Sequence, residues 1–234
     1  MVVSVHQPNY IPWMGYFYKI KKSDIFVILD DVQYIKKGFI NRNRIKTHQG
    51  ISWLTIPVEN KGNYGCNINE ISIKNDLNWK EKHLKNIEMN YKKSDFFHDF
   101  YDVFKNCIMK DYDKLSKLNI DIIKAICQLL NIKTEMILSS ALNIEETSTE
   151  RIISICKAVG ADSYLSGSGG AKYQDEKMFE DHSIKLKYSD FSEKQYKQLW
   201  GGFSGGLSII DYIFNCGFKT ENAWGNMKEE GGYE

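Results

Sequence analysis

Apolar and polar positions along this chain alternate between strand-like and helix-like spacing. Val2 to Val5 is a short β-branched run that reads as a buried strand, and Ile25 to Leu29 is a second apolar run of strand length. Between them, Pro8 and Pro12 bracket a loop and mark the start of a helix from near Tyr10 to Lys22. Ile51 to Val58 alternates as a strand, with Pro57 closing it or sitting on an edge. Asn60 to Asn69 is polar and contains glycine, hence a loop, and Ile71 and Ile73 alternate with polar residues as a short edge strand. The period then changes. Trp79, His83, Ile87 and Tyr91 recur at four-residue steps, followed by a stripe from Phe96 to Ile108 and another from Leu115 to Leu129. All three prolines lie before residue 58, which suits uninterrupted helices here. Strand-like runs return at Met136–Leu138, Ser163–Ser166 and Lys185–Tyr188. Thr147 and Glu150 have capping-box spacing ahead of a helix that stops at Gly160. Leu207 to Phe214 reads as a late helix, and the tail around Glu229-Glu230-Gly231-Gly232 as a frayed end.

This order predicts an α/β protein with a Rossmann-like sheet and a helical insertion. The expected division is an N-terminal α/β part (1–76), a helical insertion (77–132) and a C-terminal α/β part (133–234) that completes one domain with the first. Hydrophobic and charged contents of 42% and 26% are ordinary for a globular chain. The net charge of +1 supplies no global field for nucleic acid or membrane, so DNA is not an expected partner. No run approaches the roughly 20 apolar residues of a membrane span. The N-terminus lacks a signal-peptide pattern and starts as a strand, so an intact start and a cytoplasmic protein are expected. Five cysteines, odd in number and scattered, speak against a disulfide framework or a metal knuckle. No metal site is expected. Cys107, Cys127 and Cys156 fall in apolar stripes, which leaves Cys66 as the one thiol worth testing as a nucleophile.

The candidate chemistry gathers at expected strand ends, where parallel sheets place their sites. His6 ends the first strand beside Gln7, Asn9 and Tyr10 and is a candidate general acid/base. Asp30 and Asp31 end the second. Neighbouring strand residues face opposite sides, so one serves as base, Mg²⁺ ligand or ribose partner and the other as a cap. Lys36, Lys37, Asn41, Arg42, Asn43 and Arg44 follow, with arginine suited to bidentate phosphate recognition. Tyr34 and Phe39 make an adjoining aromatic shelf conceivable. The plain alternatives are a solvated basic loop and a tight turn capped by the carboxylates. After Ser166, the run Gly167-Ser168-Gly169-Gly170, with Tyr173 beyond, can cradle phosphate on backbone N–H groups or be ordinary turn chemistry; its spacing fits neither a Walker A loop nor GxGxxG. GxSxG and HExxH are absent, which disfavours an α/β-hydrolase or a zincin.

The run His6-Gln7-Pro8-Asn9-Tyr10-Ile11-Pro12-Trp13, with Gly15-Tyr16-Phe17, Asp30-Asp31-Val32-Gln33-Tyr34 and Asn41-Arg42-Asn43, resembles the WbqC-like protein family. Similar matches occur from Trp53 to Val58, at Trp79 with His83, from Tyr164 to Gly167, at Tyr173 and from Leu207 to Asp211. The resemblance implies a cytoplasmic protein of bacterial surface-polysaccharide biosynthesis, O-antigen and related glycans. Its implied activity is aminoacyl or acyl transfer that forms an amide on a nucleotide-linked amino sugar. The implied partners are that nucleotide sugar and an activated donor: an acyl thioester, an aminoacyl-tRNA, or an acid activated by ATP, which would need Mg²⁺. In this scheme Lys37, Arg42 and Gly167 to Gly170 bind phosphate, His6 or Asp30 takes the amine proton, and Asn43 or the Gly167 backbone stabilises the oxyanion. Gln7, Asn9, Tyr10, Asp31, Asn41, Ser166 and Tyr173 complete the substrate-binding set. Two other readings stand beside it. One is an ATP-dependent ligase or nucleotidyltransferase, loosely similar in its strand–histidine–helix start to HxGH enzymes but without the second histidine. The other is a non-catalytic nucleotide-sugar binding protein.

Overall fold

The strand that begins the chain becomes the middle of the sheet. The computed structural model describes residues 1–59, 65–172, 174–219 and 224. In chain order the elements are β1 (Val2–His6), α1 (Met14–Lys21), β2 (Ile25–Ile28), β3 (Arg42–Thr47), β4 (Gly50–Thr55), α2 (Trp79–Tyr91), α3 (Phe97–Met109) and α4 (Leu115–Leu129). Then follow β5 (Glu135–Leu138), α5 (Ser148–Ala158), β6 (Ser163–Ser166), α6 (Glu176–Asp181), β7 (Lys185–Tyr188) and α7 (Ile209–Cys216). Five strands form one parallel sheet in the order β5-β2-β1-β6-β7. The chain builds outward from β1 to β2 and β5, then crosses to β6 and β7 on the other side. The direction therefore reverses between β1 and β6. This is the Rossmann-like α/β arrangement that the alternating pattern predicts.

Strand alternation sends β1 to two different environments. Val3 and Val5 pack with Ile152, Ile153 and Cys156 of α5 and with Phe179. Ser4 and His6 face α1: the Ser23 hydroxyl donates to Ser4 Oγ at 2.7 Å, and the His6 ring sits edge-on to Tyr16 at 4.8 Å. Lys19 of α1 is buried there and donates to the Val5 carbonyl at 2.9 Å. Burial lowers its amine to about 7.

Several local expectations change. The hydrophobic pattern marks no strand between Arg42 and Thr47, yet this segment pairs antiparallel with β4, with Arg44 opposite Trp53. Its buried side chains include Asn43 and Lys46, and Ile45 is its single apolar residue, so no alternation of apolar and polar residues announces it. The first helix begins at Met14 rather than near Tyr10, because Ile11 takes a left-handed φ of 35° that a helix cannot contain. Ile71 and Ile73 make no strand; Ile73 and Ser72 form isolated bridges to Val58 and Lys114. Thr147 stands at the N-cap of α5 without a side-chain capping bond, the next residue, Ser148, having a φ of 53°. The expected loop residues 60–64 and the expected frayed tail around Glu229 to Gly232 lie outside the described residues.

A buried polar network holds the long segment Ser189–Leu207, which contains no helix or strand, against the scaffold. Asp211 of α7, fully buried, accepts from the Tyr91 hydroxyl at 2.6 Å, the Tyr196 hydroxyl at 2.8 Å and Gln198 Nε2 at 2.8 Å. Burial raises its carboxyl, and these donors oppose the rise. Buried Lys46 donates to Gln198 Oε1 at 3.0 Å and to the carbonyls of Gly201 and Gly202. Replacing Asp211 by alanine strands buried donors. We expect Asp211→Ala to lose about 2–4 kcal/mol of unfolding free energy in urea titrations, and Tyr196→Phe about 1 kcal/mol.

Candidate active site

Parallel strands deliver their C-terminal ends to one edge, and ligands of such sheets bind where strand order reverses. In this chain that place is the gap between the ends of β1 and β6. A cavity of about 320 Å³ opens beside the end of β1. Its polar lining is His6, Asn9, Asn43 and Arg44; its remaining walls are Trp13, Phe39 and Gly206.

His6 is half-buried. Its Nδ1 lies 3.1 Å from the Gln7 carbonyl, which can only accept, so Nδ1 carries the hydrogen. Nε2 then holds the lone pair, and it makes no hydrogen bond among the described residues. Burial, assisted by the Lys19 charge, lowers the imidazole to about 3, so the ring is neutral near pH 7. Asn9 is 9% exposed, and its side-chain amide makes no hydrogen bond among the described residues. Arg44 donates one Nη2 hydrogen to the Gly206 carbonyl at 2.8 Å, while its buried Nε has no partner. Glu193, behind Gly206, accepts the Gly206 N–H at 2.7 Å and feels the Arg44 charge. The cavity therefore offers one neutral basic nitrogen, one unpaired amide and one incompletely bonded guanidinium between exposed aromatic rings.

The walls are fixed by sequence. The Trp13 ring meets Phe191 edge-on at 5.2 Å. A Cβ on Gly15 would lie 2.6 Å from the Trp13 ring and 2.9 Å from Phe191, so a side chain at position 15 would push this wall away. Asn43 is 2% exposed and spends both amide hydrogens on the carbonyls of Tyr10 (3.1 Å) and Ile11 (2.7 Å). Its Oδ1 accepts the Arg44 N–H at 2.8 Å. Asn43 thus holds the loop after β1 and has no hydrogen left for an oxyanion.

The other candidates are distributed elsewhere. Lys37, Asn41 and Arg42 line a second cavity of about 200 Å³. Asp30 is 4% exposed, accepts from the Ser140 N–H (3.0 Å) and the Ser140 hydroxyl (2.7 Å), and shares the single hydroxyl hydrogen of Ser139 (3.3 Å) with Asp31. Asp31 pairs with Arg151 at 2.6 Å and accepts from Ser139. The two carboxylates fasten β2 to the segment after β5 and to α5, and neither lines the two cavities. Tyr10 is fully buried and donates to His83 Nδ1 at 3.0 Å. Gln7 offers its carbonyl to His6 and Tyr16, and its side chain makes no hydrogen bond among the described residues. Ser166 is buried at the end of β6, and the glycines after it fold into a 3₁₀ turn in which the Gly170 N–H bonds the Gly167 carbonyl at 2.8 Å. A Cβ on Gly170 would lie 2.0 Å from Ser166 Oγ, whereas Gly167 and Gly169 face open space. These residues line neither cavity, and Tyr173 lies outside the described residues. Arg44, Trp13 and Phe39 join the site instead. Arg44 sits two residues from Arg42, the spacing of one strand face. Gly206 carries no local signal, since it reaches Arg44 across 162 residues of chain.

The chain belongs to the WbqC-like protein family. The family's model matches residues 7–223, a span that starts one residue after His6 and holds every other residue of the cavity. An uncharacterized protein of Mycobacterium tuberculosis is 39% identical over 220 residues, covering 93% of this chain and 95% of that protein. No solved structure matches the chain. In this WbqC-like protein all five cysteines are free. Burial pushes the Cys127 and Cys156 thiols up to about 12, so they are inert. Among the described residues no group of three or more His, Cys, Asp or Glu side chains is placed to hold a metal, and no helix is long and apolar enough to cross a membrane.

A pH test follows from the histidines. His83 Nε2 faces the Thr55 carbonyl at 3.1 Å, and burial lowers its ring to about 4. Both rings have folded values below the unfolded value of about 6.5. Their contribution is present above that pH and is lost as pH falls toward 4 and then 3, because the unfolded chain takes up the protons. In urea titrations at pH 7 and pH 5, His6→Asn should lose less stability on acidification than the parent protein.

Proposed function

We propose that this WbqC-like protein is a transferase that forms an amide on a nucleotide-linked amino sugar in bacterial surface-polysaccharide biosynthesis, in the cytoplasm. One observation carries the chemical part: a neutral imidazole with a free Nε2 shares one aromatic-walled cavity with the unpaired Asn9 amide and the Arg44 guanidinium. The polysaccharide setting is what the family resemblance implies.

Amide formation needs a neutral amine, a base and a donor for the acyl oxygen. As the amine nitrogen bonds the acyl carbon, the nitrogen becomes positively charged and its proton strongly acidic. His6 Nε2 takes that proton and hands it to the departing thiol, hydroxyl or phosphate as the bond from acyl carbon to leaving group breaks. The neutral ring keeps its lone pair open near pH 7, and because burial also weakens it as a base, it takes the proton only once bond formation has made that proton strongly acidic. A remaining Nη hydrogen of Arg44, or an amide hydrogen of Asn9, serves the oxygen that gains charge. Trp13 and Phe39 give the sugar ring apolar faces and keep water from the acyl group.

The test is direct. Thermal-shift screening against nucleotide-linked amino sugars identifies the acceptor, since a ligand of the folded state raises Tm by mass action. With acceptor and donor in hand, His6→Ala should lower kcat by about 10²–10⁴-fold. Its acceptor Kd should stay within about threefold. Tight acceptor binding without turnover across thioester, aminoacyl-tRNA and ATP-activated donors would replace the transferase with a binding protein.

A further inference from the structure

The second cavity is built differently from the first. It is lined by Tyr34, Lys36, Lys37, Asn41 and Arg42, with Thr55, Val58 and Glu59 closing it. Three formal positive charges face one carboxylate there. Two of its donors have no protein partner among the described residues, the Tyr34 hydroxyl at the cavity and Arg42 Nε within the fold. Tyr34 is 6% exposed, and its hydroxyl makes no hydrogen bond among the described residues. Arg42 Nε is buried without a partner. Arg42 is nevertheless held in place. Its guanidinium lies 4.2 Å from the centre of the Trp53 ring, and one Nη2 hydrogen goes to the Lys37 carbonyl. Lys37 has a φ of 65°, a left-handed conformation that costs a non-glycine residue energy and recurs at ligand sites. No carboxylate forms an ion pair with Lys36, Lys37 or Arg42 among the described residues.

A preset arginine fork, two lysines and an unpaired phenol O–H suit a tetrahedral oxyanion of more than one charge better than a single carboxylate. Burial raises the Tyr34 phenol, so it stays a donor. We infer that this cavity is a phosphate site, with Tyr34, Lys36, Lys37 and Arg42 as its ligands and the diphosphate of a nucleoside diphosphate compound as its natural occupant. A volume of about 200 Å³ is below that of whole-ligand pockets, so it takes one group of a larger molecule. The rest of that molecule lies on the side of Arg44. Arg42 and Arg44 project from the same face of β3, about 7 Å apart along the strand, and both guanidiniums lie against Trp53, at 4.2 and 5.8 Å. Phe39, a wall of the first cavity, is 5.8 Å from the same ring. A ligand anchored by its diphosphate at Arg42 therefore passes over Trp53 and presents its sugar to His6. This spanning geometry rests on the amide-transfer reading; the phosphate site itself does not.

Isothermal titration with inorganic pyrophosphate and with UDP tests the site without any sugar or acyl donor. Both should bind the full-length protein, and raising salt should weaken both. Arg42→Ala should weaken both by at least about tenfold, and Arg42→Lys and Tyr34→Phe, which preserve the packing, by about three- to tenfold. Lys187→Ala, the same charge change on an exposed residue of β7, should leave both Kd values unchanged. Failure of both ligands to bind overturns the phosphate site. So does binding that survives Arg42→Lys and Tyr34→Phe, and so does citrate binding as tightly as pyrophosphate. If pyrophosphate binds as described and no amide is made, the amide-transfer reading falls and the phosphate site stands.

Discussion

One buried amide connects the two halves of the candidate site. The loop after β1 turns through Ile11 at a left-handed φ, and this turn leaves the Tyr10 and Ile11 carbonyls inside the protein. Unbonded, each would cost on the order of 1–3 kcal/mol. Asn43 meets both from the neighbouring hairpin and accepts the Arg44 N–H with its own oxygen. The same side chain thereby fixes the loop that carries Asn9 and Trp13 and the strand that carries Arg44. An aspartate could not replace it, because the two carbonyls need donors.

The hairpin converts strand parity into function. Asn43 points inward to the loop, while Arg42 and Arg44, one residue to either side, point outward to two separate cavities. Trp53 on the paired strand gives both arginines one apolar surface. A one-residue slip of β3 against β4 would bury the guanidiniums and expose the amide, so register and site chemistry are set together.

The sheet was legible in the β-branched run Val2–Val5 and in the short run Ser163–Ser166 ahead of its glycines, and the three helices were legible from four-residue steps such as Trp79, His83, Ile87 and Tyr91. His6 and Asn9 were legible as candidates because prolines fixed their backbone beside a strand end. Asp30 and Asp31 had equal standing in sequence, and no local pattern reveals that Ser139, Ser140 and Arg151, more than 100 residues away, hold them. Strand β3 was hidden because its buried positions use an asparagine and a lysine whose partners are carbonyls brought by tertiary structure. Gly206 was hidden for the same reason: it matters by where its carbonyl sits, and its residue type says nothing of that.

The position of β1 in the sheet has a consequence for how the protein is made. Val2 pairs with Ser163, and the amino terminus meets Asp162 across a separation of 161 residues. Strand β1 therefore leaves the ribosome well before β6, its second neighbour, can pair with it, an interval on the order of ten to thirty seconds at typical elongation rates. During that interval one backbone edge of β1 is open and the Val3–Val5 face lacks α5, a combination that invites wrong pairing. Such long-range parallel closure is slow in any case, because loop entropy is lost before the contacts that compensate it form. Occupation of the nascent chain by a chaperone would suit this topology, and the cavity beside His6, whose wall includes Gly206, is completed only after that late closure.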